Sequence, residues 1–121
     1  MLLTTQTLLT TTTYGVPSGD YDGSSLDFVS EPAIAADFYR GLGGIQTITI
    51  RVTNFVGDIR LQASLNNEWQ KAFWFETAQF GDPLHAISGV QAITVKGNFV
   101  WMRAEILEFT SGTIDSITIT Y

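Results

Sequence analysis

GIQTITIRVTNFVGDIRLQASL, residues Gly44–Leu65, decides the fold class. Ile48, Ile50 and Val52 alternate with Thr47, Thr49, Arg51 and Thr53. Period two with one apolar and one polar face is a half-buried β-strand. After Asn54–Asp58 the alternation resumes, with Ile59, Leu61, Ala63 and Leu65 set against Arg60, Gln62 and Ser64. The sequence predicts an antiparallel hairpin with a five-residue, glycine-containing connection.

The same alternation recurs on the C-terminal side. KAFWFE, residues 71–76, sets Phe73 and Phe75 on one face and Trp74 on the other. Residues 77–89 (TAQFGDPLHAISG) read as a loop around Gly81-Asp82-Pro83, followed by a strand over Val90–Val95 and a turn at Gly97-Asn98. Along Phe99–Leu107, Val100, Met102, Ala104 and Ile106 oppose Phe99, Trp101, Arg103 and Glu105. A turn over Phe109–Gly112 precedes a last strand carrying Ile117, Ile119 and Tyr121. Six to nine short strands at roughly ten-residue spacing predict an all-β domain, an antiparallel β-sandwich of jelly-roll or immunoglobulin-like type.

Upstream, seven of residues 1–13 are threonine, punctuated by Leu2, Leu3, Leu8 and Leu9. This segment is an extended arm, a first strand or a frayed tail. The four leucines argue for burial, on the chain's own domain or on a neighbour. Residues 14–27 are a Gly/Ser/Asp/Pro loop, and Phe28–Val29 and Ala33–Tyr39 are short strands. A helical turn over Pro32–Asp37, capped by Ser30, is the alternative there. The expected division is therefore an arm over 1–13 and one sandwich domain over 14–121.

The 121 residues suit one domain with a core that needs neither disulfide nor metal. Six Lys and Arg against twelve Asp and Glu give a net charge of −6, and the cations are scattered. Direct binding to a nucleic-acid backbone needs a basic patch, so it is not expected. No stretch is long and apolar enough for a membrane helix, and the N-terminus lacks a signal-peptide pattern. Export by lysis or within an assembly is the expectation.

Catalytic and metal-binding signals are weak. His85 is the single histidine, there is no cysteine, and no spacing groups a Ser-His-Asp set. Asp20-Tyr21-Asp22-Gly23-Ser24-Ser25 opens like a calcium loop, and Glu31 falls on its twelfth position. Ser25 stands where that loop needs glycine and no helices flank it, so a plain Asx-turn loop is expected. The acids are spread, with no glycosidase-like pair. No enzyme activity, cofactor or metal is expected. The aromatics carry more information. Trp74, Phe99 and Trp101 lie opposite apolar strand faces, so they are core, a protein interface or a sugar platform. With Leu2, Leu3, Leu8 and Leu9 they are the candidate interface residues.

Two stretches carry a resemblance. In the middle of the chain these are Asn54, Phe55, Gly57, Ile59, Ala63 and Leu65, then Trp74 and Phe75. Near the end they are Gly97, Asn98, Phe99, Trp101, Arg103 and Ala104, then Phe109, Gly112, Thr113, Ile114 and Tyr121. Over about 75 residues the chain resembles small β-sandwich virion proteins of tailed phages infecting cyanobacteria. The resemblance implies localisation in a virion, other virion proteins as partners and a structural role. A capsid decoration or other accessory subunit is expected, self-associating into a homo-oligomer and docked through residues 2–13. The alternative expectation is a carbohydrate-binding module of a fibre or baseplate, with a glycan as ligand.

Overall fold

A computed structural model describes residues 5–35, 44–65, 73–97 and 99–121. These form one antiparallel sheet of seven strands with no helix. Four strands are short: β1 (Thr5–Leu9), β2 (Thr12–Thr13), β3 (Phe28–Val29) and β4 (Ala33–Ile34). Three are long: β5 (Ile45–Ser64), β6 (Phe75–Lys96) and β7 (Trp101–Thr120). The main path is β1-β7-β5-β6, and β2, β3 and β4 also pair with β7.

The long strands cannot be straight. Lys96 lies opposite Ile45, at one end of β5, and Trp101 lies opposite Ser64, at the other. A straight strand of 20 residues would hold those ends about 60 Å apart. Only Gly97–Val100 connects Lys96 to Trp101, a reach of under about 20 Å. The sheet must therefore double back on itself. Register shifts mark the fold line in β5, between Val52 and Gly57 against β6 and between Thr53 and Asp58 against β7. Asn54 and Glu108 adopt left-handed backbone there, at φ 50° and 52°. A bulge of this kind bends and twists its strand.

Doubling back makes two layers. Counting half-strands in chain order, one layer is β1/β2, then 113–120, 45–53 and 89–96. The other is β3/β4, then 101–107, 57–64 and 75–82. The orders 1-8-3-6 and 2-7-4-5 are those of a jelly roll. The predicted hairpin is thus corrected. Its two arms are halves of one strand that face each other across the core, and their hydrogen bonds go to β6 and β7. Residues 77–89 are likewise part of β6, and Phe109–Gly112 lies within β7. Residues 5–9 and 12–13 are first strands paired with β7, not a projecting arm. Ser30 does not cap a helix; its hydroxyl accepts from the Ala104 amide at 2.8 Å, and Ala33–Ile34 is strand. The remainder of that predicted segment, from residue 36, lies outside the described residues.

The bulge also explains the core. Ile48, Ile50 and Val52 are buried on even positions, and Ile59, Leu61 and Ala63 on odd ones. The residue added at the bulge switches parity, so one face of the sheet stays apolar through the bend. Cross-strand pairs on that face are buried on both sides: Ile48 with Ile119, Ile50 with Ile117, Ile59 with Ile106 and Ala63 with Met102. Full burial of each large side chain contributes about 1.5–3 kcal/mol. At the fold line the space is filled by aromatics, with Phe109 packed against Tyr14, Tyr21, Phe28 and Phe55. At the open end Gln46 is buried and donates to the Val95 carbonyl at 2.7 Å, while the Gly97 amide donates to Gly44 at 2.6 Å.

Candidate functional site

The structure disperses the residues that the sequence singles out for an interface. Leu8 and Leu9 are 4% and 5% exposed and pack into their own chain's core. Pairing of β1 with the end of β7 holds them there. They are therefore unavailable to a partner in the folded chain, which corrects their assignment to docking. Leu2 and Leu3 lie outside the described residues. Phe99 is buried against Phe75, with ring centroids 5.6 Å apart, so it too is core. Trp74 and Trp101 are half-buried. The Arg103 guanidinium sits 4.3 Å from the centre of the Trp74 ring and donates to Gln62 at 2.7 Å. One face of Trp74 is thus covered by a cation from β7.

The loop over 14–27 brings Asp20 and Glu31 together beside a cleft of about 230 Å³ floored by Leu8 and Leu9. A hydrogen bond shared with Asp20 raises the Glu31 pKa. Asp22, the next acid of the calcium-like run, turns to its own loop. It accepts from the amides of Ser24 and Ser25 at 2.9 and 2.7 Å and from the Ser25 hydroxyl at 2.6 Å. This is an Asx turn, as the sequence predicts. Among the described residues no group of three or more Asp, Glu, His or Cys side chains converges on a metal-sized site. His85 is exposed and bonds Asp82 at 3.0 Å.

The Ser25 hydroxyl, followed by the Ser24 and Ser25 amides, lowers the Asp22 pKa to about 2. Because the folded-state pKa is depressed, the stabilisation is complete above the unfolded value near 3.8 and is lost as pH falls toward 2. A carboxyl-detected NMR titration is expected to give Asp22 a midpoint near 2, rising toward 3.8 in Ser25→Ala. An unmoved midpoint in that variant would refute the hydroxyl's role.

Two surfaces stand out. The first is the outer face of the layer containing β1. Register places Thr5, Thr120, Thr47 and Thr94 in one row across four strands, and Thr7, Thr118 and Thr49 in the next. The hydroxyls of Thr5 and Thr120 lie 3.1 Å apart, and those of Thr47 and Thr94 3.2 Å. Cross-strand threonine pairs contribute about 0.2–1 kcal/mol each, which explains the threonine content without a ligand. The second is the flank formed by β6. It is the last strand of the path, and most of its 22 residues are exposed or half-exposed. Leu84 and Val90 are 82% and 60% exposed, and Phe73 and Phe75 extend the apolar surface at its start. The sequence conceals this flank because an edge strand need not alternate.

Comparison with protein-family models, with curated proteins and with solved structures gives no match.

Proposed function

We propose that the chain is a structural subunit of a tailed-phage virion, a decoration or accessory protein on the particle exterior that binds and assembles rather than catalyses. The observation that carries this reading is the flank of β6, the end strand of the sheet, along which Phe75, Leu84 and Val90 are exposed. Such concentrations mark association surfaces. Jelly rolls recur in capsid domains, and the resemblance to small virion proteins supplies the context. With the Leu8 and Leu9 side chains buried in the chain's own core, this reading places docking on the β6 flank.

An antibody raised against the folded chain tests this. It is expected to label the outside of intact virions in negative-stain micrographs. Labelling of disrupted particles alone would overturn the exterior position, and absence from purified particles would overturn the virion reading.

Glycan binding is the second reading, favoured by the exposed rings of Phe73 and Phe75 on either side of half-buried Trp74. The Arg103 guanidinium over Trp74 counts against it, because a sugar platform needs an open ring face. A glycan-array signal lost in Trp74→Ala would move the assignment to this reading.

A further inference from the structure

We infer that the β6 flank is a self-association surface, and that its occupant is β6 of a second copy related by a two-fold axis. This inference deepens the assembly reading by naming surface and partner.

The two edges of the sheet are built differently. One consists of β1 to β4, none longer than five residues and interrupted by the loop over 14–27. Short, broken edge strands resist pairing with another chain. The other edge is β6, continuous over 22 residues and without an outer neighbour among the described residues. Natural edges are guarded by charge, proline or bulges. On β6 the charges up to the bend are Glu76 and Asp82, Pro83 follows, and beyond them no Asp, Glu, Lys or Arg occurs until Lys96. Val90, Ala92 and Thr94 share the outer face, with Val90 60% exposed.

The second copy follows from charge, size and symmetry. Each chain carries a net charge of −6, so two copies repel least where their contact carries little charge; the 89–96 half of β6 holds only Lys96, at its end, and the 75–82 half holds Glu76 and Asp82 near its two ends. The two eight-residue segments of β6, 75–82 and 89–96, together with the side chains flanking them approach the roughly 20–30 residues per side of a standard interface. Joining β6 to the opposite edge would be a head-to-tail contact, and the short strands there offer no matching ladder. Joining β6 to β6 is isologous and closes. The doubled-back strand supplies the edge of both layers, 75–82 in one and 89–96 in the other. A two-fold axis normal to the layers sets each segment antiparallel to its counterpart and extends each four-stranded layer into eight strands.

Light scattering coupled to size exclusion, from micromolar to millimolar protein, tests this. The wild-type chain is expected at twice 13.3 kDa. Val90→Lys combined with Ala92→Lys is expected at 13.3 kDa with an unchanged circular dichroism spectrum. Thr11→Lys, on the opposite edge, is expected to stay dimeric. Because the chain has no cysteine, Ala92→Cys gives a second readout free of added charge. Mild oxidation is expected to link it into a covalent dimer, whereas Thr11→Cys stays unlinked. A monomeric wild type, a dimeric double-lysine variant, dissociation by Thr11→Lys, or failure of Ala92→Cys to cross-link would each overturn the inference. A confirmed dimer absent from virions would remove the virion reading alone.

Discussion

Gly112→Ala is expected to destabilise the domain by more than about 4 kcal/mol, enough to leave much of it unfolded. Gly112 lies in β7 where that strand crosses the bulge of β5, between the pairs Thr53–Thr113 and Val56–Ser111. A methyl group there would fall on the Asn54 carbonyl and 2.7 Å from the Phe55 Cα. Both obstacles are backbone, so no side-chain rotation relieves them. The φ of +87° adds left-handed strain. Gly15→Ala separates the two effects. Its φ of +86° is nearly the same, yet nothing lies within 4 Å of the added methyl. It should cost about 1–2 kcal/mol, the strain alone. Urea denaturation of both variants measures the difference. Equal losses would mean that β5 and β7 do not approach this closely at the fold line.

The fold line is also where sequence and structure part. Ile48, Ile50 and Val52 were legible because a half-buried strand writes its period into the chain, and the β-class follows from them. The bulge at Asn54–Gly57 was not, because Asn, Gly and Asp are what a hairpin turn would also use. Local chemistry does not distinguish a strand that turns beside itself from one that folds over a core. The distinction lies in pairing partners 12 to 73 residues away, from Ala63 with Phe75 to Thr47 with Thr120. The middle of β6 was hidden for another reason. An edge strand exposed on several sides lacks alternation, so Thr77–Gly89 reads as loop. Tyr21 was missed in turn because a polar Gly/Ser/Asp context signals surface, although its ring is 1% exposed. Trp74 shows the limit on the site side. Strand parity placed it opposite Phe73 and Phe75, but only the position of Arg103, on another strand, shows which ring face is covered.

Tyr21 leads to the second large effect, because it belongs to the aromatic cluster under the bend. Phe109→Ala is expected to cost about 3–5 kcal/mol, the range for emptying a buried phenyl site. Phe109 is fully buried, and its ring centroid lies 5.3 Å from Tyr21, 5.6 Å from Phe55 and 5.7 Å from Tyr14. Those rings come from the N-terminal loop and from the bulge, so Phe109 couples the two. The loop's two ends are tied to β7, where the Tyr14 amide donates to the Gly112 carbonyl and the Phe109 and Glu108 amides donate to the Leu26 carbonyl and the Asp27 carboxylate, but between those ends it has few other anchors. The Tyr21 hydroxyl accepts from the Gly15 amide at 2.9 Å, and Ser18 and Tyr21 exchange backbone hydrogen bonds. Loss of the ring should therefore loosen residues 14–28 first, while Ile48–Val52, paired on both sides by β6 and β7, keep their protection. Hydrogen exchange resolves this: the amides of Ser18 and Tyr21 should exchange faster in the variant by a larger factor than that of Ile50. Phe109→Leu should recover part of the loss, since it refills most of the volume without restoring the ring contacts. Uniform acceleration across the domain would show that loop and core open as one unit, and that Phe109 does not act as the clasp between them.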